Sequence, residues 1–409
     1  MRLTMKKRFY LCLAAAVCFG STVFSQVDSQ WRGPARDGVY PGEKLIRQWP
    51  ASGPKLLWSA EGLGEGFSSP AVTEQNVYVT GLVQGTGTLF ALDHTGKISW
   101  KVPYGPDWSG SNAGSRTTPT VAGKQIYVVS AMGLLTCFGP GGEKIWSVDL
   151  MKEFKARNIE WGITESLLVD GDRVICTPGG PEVMMAALDR HTGKTVWKTK
   201  GNGEISAYCS PVIVKHGTRR LLLSMTAKSV VGLDADSGEY LWSAPHITDY
   251  DVNPNTPLYS NGWVYTVSGY GTGGQMFQIS PDGRSVKQVW TDKNLDSQMG
   301  AAILLDGYLY GSGHNRRGWH CLDWKTGKLQ FSSSEVGGKG NIIFSDGMLY
   351  AYGENGMVAL IQPNPAKFTV VGSFRITRGS GPHWAHPVIR SGRLYVRHGE
   401  VLQVYDLSR

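Results

Sequence analysis

Short apolar runs separated by glycine-containing turns fill most of the chain, and two phrases alternate. The first is an apolar stretch, a two-residue turn with glycine, and a second apolar stretch: LLVDGDRVIC (167–176), LYSNGWVYTV (258–267), LLDGYLYG (304–311), FSDGMLYAY (344–352) and VIRSGRLYV (388–396). Asp-Gly or Asn-Gly between alternating apolar stretches predicts a tight hairpin, because both turn residues must take positive φ. The second phrase reads LDRHTGKTVW (188–197), with variants ALDHTGKISW (91–100), LDADSGEYLW (233–242) and LDWKTGKLQF (322–331). Here the Asp accepts hydrogen bonds from the turn amides, the glycine supplies a left-handed residue, and the segment ending in Trp begins another strand.

The strands after the first turn carry Val77, Ile126, Val174, Leu221, Val264, Leu309, Leu349 and Leu394, a repeat of about 45 residues. Two hairpins per repeat and no helical period predict an all-β fold, an eight-bladed β-propeller of four-stranded antiparallel blades. The C-terminal segment GRLYVRHGEVLQVYDLSR supplies inner strands but no outer one, whereas KLLWSAE (55–61) is an outer strand with no blade before it. The two are expected to pair, closing the ring and removing an exposed sheet edge. Trp58, Trp100, Trp146, Trp197, Trp242 and Trp290 recur at matching places and read as wedges between blades.

The first 25 residues have a basic head, a short apolar run from Leu11 to Gly20 and the small Ser25, which reads as a cleavable secretory leader. The resulting division is a signal peptide at 1–25, an extended Pro/Gly-rich arm at 26–54 expected to lie against the ring, and one propeller at 55–409. No other run is long enough to span a membrane as a helix. The formal charge of +8 includes Arg2, Lys6, Lys7 and Arg8 of the leader, so the remainder is near balance. No basic cluster is interleaved with aromatics, which argues against nucleic acid as a partner. Cys137, Cys176, Cys209 and Cys321 are widely spaced, without a CxxC pair, and sequence leaves open whether Cys176 and Cys209 join.

The stretches ALDHTGKISW and ALDRHTGKTVW resemble the tryptophan-docking motif of pyrroloquinoline-quinone (PQQ) propeller repeats. SSPAV (68–72), CSPVIV (209–214) and WRGPARDG (31–38) are similar to secreted bacterial PQQ-like repeat proteins, a family often labelled quinoprotein dehydrogenase-like. More loosely, the chain resembles the propeller lipoprotein of the outer-membrane β-barrel assembly machinery. The likeness covers nearly all of the chain after the leader and implies the fold, but the motif lies in the scaffold and says little of chemistry. Quinoprotein dehydrogenases of that resemblance place an adjacent Cys-Cys pair over the cofactor and hold calcium with Glu, Asn and Asp. This chain has no adjacent cysteines, so no cofactor is expected, and PQQ with calcium is kept only as an alternative. No metal site is assigned.

Ligands of propellers usually meet the loops that lead into the inner strands. Aligned on the turn glycines, the residues just before those strands are Ser69, Thr118, Glu165, Ser210, Thr256, Ala301, Asn341 and His386. Ser or Thr before Pro is the default, its hydroxyl expected to cap backbone groups locally. Glu165, Asn341 and His386 break the pattern, and Glu165 with His386 is the candidate acid–base pair. Asn112, Arg116, Glu160, Trp161, His314, Arg316, Arg317, His383 and Trp384 lie in loops of the same face and, with Asn341, make up the candidate ligand site. Aromatic faces with polar and charged groups suit a carbohydrate-like ligand.

The sequence therefore predicts a monomeric exported protein of the periplasm or cell surface of a Gram-negative bacterium. Its role is expected to be non-catalytic binding of a glycan or an envelope protein. The alternatives are a carbohydrate-active enzyme (lyase, hydrolase or oxidoreductase) using the central funnel, and a PQQ-dependent dehydrogenase.

Overall fold

The computed structural model describes residues 27–42 and 44–409; the leader lies outside the described residues. Eight antiparallel sheets follow one another along the chain. Blades 1 to 7 occupy residues 71–106, 120–149, 168–199, 212–245, 258–292, 302–333 and 340–375, and blade 8 begins at Val388. All eight apolar positions identified after the first turns are at most 1% exposed. Apolar side chains of adjoining blades pack face to face, as Tyr78 and Leu89 of blade 1 do on Ile126 and Phe138 of blade 2.

The turns take the expected conformation where the motif is strict. Asp306 and Gly307 have φ of 49° and 83°, and Asp346 and Gly347 have 44° and 78°. In the second hairpin, Asp189 Oδ1 accepts from the amides of His191 and Thr192 and from the Thr192 hydroxyl.

The outer-strand tryptophans explain why this phrase recurs. Trp146 of blade 2 lies on Gly193 in the turn of blade 3 and donates from its indole to Arg190 O at 2.9 Å. Trp58 and Trp100 do the same on Gly96 and Gly142, donating to His94 O and Pro140 O, whereas Trp197 and Trp290 lie on Gly238 and Gly327 of the following blade without that hydrogen bond. Trp242 instead lies on Gly232 of its own blade. A Cβ on Gly193 would stand 2.8 Å from the Trp146 ring, and its φ of 73° disfavours any side chain. Gly193→Ala is therefore expected to cost about 2 kcal/mol or more, read as a lower urea midpoint.

Leu56–Ala60 pairs with the C-terminal strand Val401–Asp406, in register Trp58↔Val404, and completes blade 8. Arg397 seals the joint with blade 1. It is fully buried and donates to the carbonyls of Ser68, Thr80, Gly64 and Gly399.

The first part of the arm enters the ring. Val27–Ser29 pairs with the inner strand of blade 2 as a fifth strand inside the central channel. The chain then turns through Trp31 to Gly38 and returns beside blade 7, where Val39 bridges Phe344. Two fully buried arginines hold the turn. Arg32 donates to the carbonyls of Ala302 at 2.9 Å and Gly300 at 3.4 Å. Arg36 donates to those of Pro211 at 2.8 Å and Ser166 at 2.5 Å. Burial lowers both guanidiniums to about 10, against the pull of Tyr40 and Asp37 on Arg32 and of Glu165 and Cys209 on Arg36.

Candidate functional site

The loops leading into the inner strands are tied blade to blade. Ser69 N donates to Thr118 Oγ1 at 3.0 Å, Thr118 N to Ser166 Oγ at 3.1 Å, and Ser166 N to Ser210 Oγ at 2.9 Å. Thr256 Oγ1 donates to Ser210 O at 2.6 Å, and Asn341 Nδ2 to the carbonyls of Trp384 and Ala385. These side chains thus fasten neighbouring blades rather than cap their own loops. The belt places Ser166, not Glu165, at the blade 3 position. In that blade the first turn is flanked by Asp170 and Arg173, so Gly171 is its first residue. In blade 8 the flanking pair is Arg390 and Arg393 and the glycine comes second. Alignment on the glycines therefore slips by one residue, and a one-residue slip reverses which side chain faces inward.

Above this belt lies a cavity of about 510 Å³, floored by Trp31 of the arm. Its wall follows a rule invisible in any single blade. The residues two before the belt positions, Phe67, Arg116, Thr164, Tyr208, Pro254, Met299, Lys339 and Trp384, all line it. Trp161, Tyr208 and Tyr270 form one aromatic side, with Trp161 6.2 Å from Tyr208 between centroids. Phe67 and Trp384, 4.9 Å apart, form another. Tyr208 and Tyr270 hold φ of 70° and 58°, a left-handed strain unusual for bulky residues and concentrated at this rim.

Of the residues singled out from the sequence, Asn112, Arg116, Trp161, His314, Trp384 and His386 come together around this cavity. Glu160, Arg316 and Arg317 are exposed and outside its wall. Asn341 and His383 border a second void of about 10 Å³ beside it. His383 Nδ1 meets the Tyr352 hydroxyl at 2.6 Å, and its ring stacks on His398 at 3.7 Å. Burial, then the His398 ring, pushes His383 down to about 4.

Glu165 is 1% exposed and accepts from the amide and hydroxyl of Thr177. Burial raises it to about 8, against the pull of Thr177 and Arg36. The ring of His386 is committed at both nitrogens. Arg32 is a donor only, so Nδ1 accepts from it at 3.4 Å, and Nε2 donates to Met299 O at 2.8 Å. Burial and the Arg32 charge push this imidazole down to about 3. Glu165 and His386 are therefore each held by the scaffold, and neither is a free proton carrier. His314 Nδ1 accepts from Tyr270 N at 3.0 Å, which places its proton on Nε2. Lys339 is paired with Glu354 at 2.9 Å.

A calcium–quinone pair requires carboxylates around the ion. Among the described residues no Asp or Glu lines the cavity, and no group of three His, Cys, Asp or Glu converges. Cys137, Cys176, Cys209 and Cys321 are buried and unpaired, and none lines the cavity. The residues present do not fit that cofactor.

The fold and cavity together define a closed eight-bladed propeller with an aromatic funnel at its axis. The chain belongs to the PQQ_2 family, described as outer membrane protein assembly factor BamB, whose profile matches residues 85–333. No curated protein matches it by sequence. Among solved structures it is similar to BamB from Moraxella catarrhalis, with a TM-score of 0.62 and 15% identity over 86% of this chain and 97% of that one. It is similar to the quinohemoprotein alcohol dehydrogenase from Comamonas testosteroni at a TM-score of 0.61 and 12% identity, over 92% of this chain and 79% of that one. A europium-containing methanol dehydrogenase gives a TM-score of 0.61 and 14% identity, over 89% of this chain and 88% of that one. At these identities the likeness establishes the fold.

Proposed function

We propose that the chain acts in the bacterial envelope as a binding protein whose funnel is the recognition site, with no bond made or broken by its own residues. The observation that carries this is the state of the candidate proton carriers. Glu165 and His386 are bound into the scaffold and Lys339 is ion-paired, whereas the aromatic faces stand open to the cavity. A concave, mostly preformed aromatic pocket with a few polar groups is how proteins hold small ligands, and a glycan is the ligand class favoured here. Family membership supports an envelope location. No helix among the described residues is long and apolar enough to cross a membrane.

An envelope protein partner is the second reading. Ile247 and Tyr250, 62% and 64% exposed, stand on the loop before blade 5, and Tyr250 lies 6.1 Å from Trp161 of the funnel wall.

The test is the thermal midpoint of the exported, purified chain with saccharides, and separately with PQQ and calcium plus a dye acceptor. A saccharide at a hundredfold excess over its Kd is expected to add about 2.7 kcal/mol of stability, with no dye reduced in the second assay. Dye reduction dependent on PQQ and calcium overturns the proposal. A silent saccharide panel transfers the funnel to the protein-partner reading.

A further inference from the structure

We infer that the ligand of this funnel is an acidic saccharide whose carboxylate or sulfate is received by Arg116; this rests on the reading of the funnel as a glycan site. Among the described residues, the only cationic side chains lining the cavity besides histidines are Arg116 and Lys339, and no carboxylate lines it. Lys339 is neutralised by Glu354, which also accepts from the Trp384 indole at 2.7 Å. Arg116 has no such partner. Its Nη2 donates to a main-chain carbonyl, Asn112 O, at 2.8 Å, and its Nη1 is buried without an acceptor.

The charge of Asp107 favours the charged guanidinium, but no ion pair or hydrogen bond joins the two. Asp107 is already occupied by the Tyr104 and Ser115 hydroxyls and by the amides of Trp108 and Ala131. A guanidinium in this state carries an unmet demand for an anion, since a buried donor without a partner costs more than a hydrogen bond returns.

The guanidinium is also held in place. Its Cζ lies 5.7 Å from the Phe67 ring and 5.8 Å from that of Trp108. Asn112, which supplies the carbonyl, is fixed in the left-handed region at φ 50°. A positioned planar fork beside open aromatic faces matches a ring that carries an anionic substituent. The ring's apolar face meets Trp161 or Phe67 while its charge meets the guanidinium where Arg116 lines the cavity. His314 offers its Nε2–H, set by the Tyr270 amide, to a hydroxyl of the same ligand.

The experiment is titration calorimetry of the exported chain with three oligosaccharides of equal length: oligogalacturonate, a sulfated galactan fragment and a neutral galactan fragment. Binding of an acidic oligosaccharide at least tenfold tighter than the neutral one, weakening as salt is raised, is the expected result. The carboxylated and sulfated arms distinguish the two anions. Arg116→Gln should abolish the difference between acidic and neutral ligands while Arg116→Lys retains part of it, and the thermal midpoint of each variant reports whether it is folded. Equal binding of neutral and acidic sugars overturns the acidic assignment and leaves the glycan reading standing. Binding of none of the three overturns both. Arg116-dependent binding of PQQ alone, without any of the sugars, overturns the saccharide assignment.

Discussion

Arg36→Met destabilises the chain by about 3–5 kcal/mol, seen as a large fall in the urea midpoint at unchanged slope. The arginine is fully buried in the axis and joins the arm to the carbonyls of Ser166, Leu167 and Pro211. Methionine fills much of the volume but leaves those carbonyls without donors, and each orphaned buried group costs about 1–3 kcal/mol. It also removes the cation nearest the buried Glu165, which adds to the loss when that carboxyl is ionised. The control is Arg47→Met, which breaks an ion pair with Asp346 whose arginine is 54% exposed. That change is expected to cost less than about 1 kcal/mol. Equal effects at the two sites would show that the arm is not a structural member of the ring.

Acid should weaken the fold in part through two histidines, beside the half-buried His383 already described. His246 lies among Gln275, Ser268 and Thr266 and is pushed down to about 4 by burial, and His386 is pushed to about 3. Both are neutral when folded but take up protons near 6.5 when unfolded. Their contribution is therefore full above about pH 6.5 and is lost as the pH falls toward the folded values, by up to about 1.4 kcal/mol per pH unit for each. Glu165 behaves oppositely. Its raised value of about 8 means its contribution is full below about pH 4.5 and is lost as pH climbs through 8.

Between these limits Glu165 offsets one histidine, and above pH 6.5 it acts alone. Urea midpoints measured across about pH 5 to 8.5 should rise and then fall. His386→Asn should flatten the acid limb, and Glu165→Gln the alkaline one. A midpoint independent of pH would contradict both assignments.

The scaffold was readable because its determinants are local and repeated. A turn glycine must be glycine where the next tryptophan lies on it, as Gly193 and Trp146 show, so the same phrase recurs wherever that contact does. Ring closure was equally plain, since Leu56–Ala60 lacked a blade of its own.

The site was only half readable, for a geometric reason. Inward and sideward directions alternate along an extended chain, so one misplaced glycine exchanged Glu165 for its neighbours Thr164 and Ser166, which line the cavity. Phe67, Tyr208 and Lys339 escaped notice although each stands two residues before a belt position. That offset becomes meaningful only once the belt itself is known. Nothing periodic marks the arm, whose path is decided by long-range contacts of Arg32 and Arg36 with blades far along the chain.

The arm's position also orders events in time. The arm occupies the axis, and strands that follow it much later in the sequence close around it, with Arg390 donating to Asp28 O across 362 residues. Pairings so distant in sequence form slowly, because a long loop must close before any of them is rewarded. The ring therefore cannot close until the strands from Val388 onward are available to it. A chain cut before Val388 would lack the strands that receive Leu56–Ala60, and with them the closure that keeps its beginning inside its end.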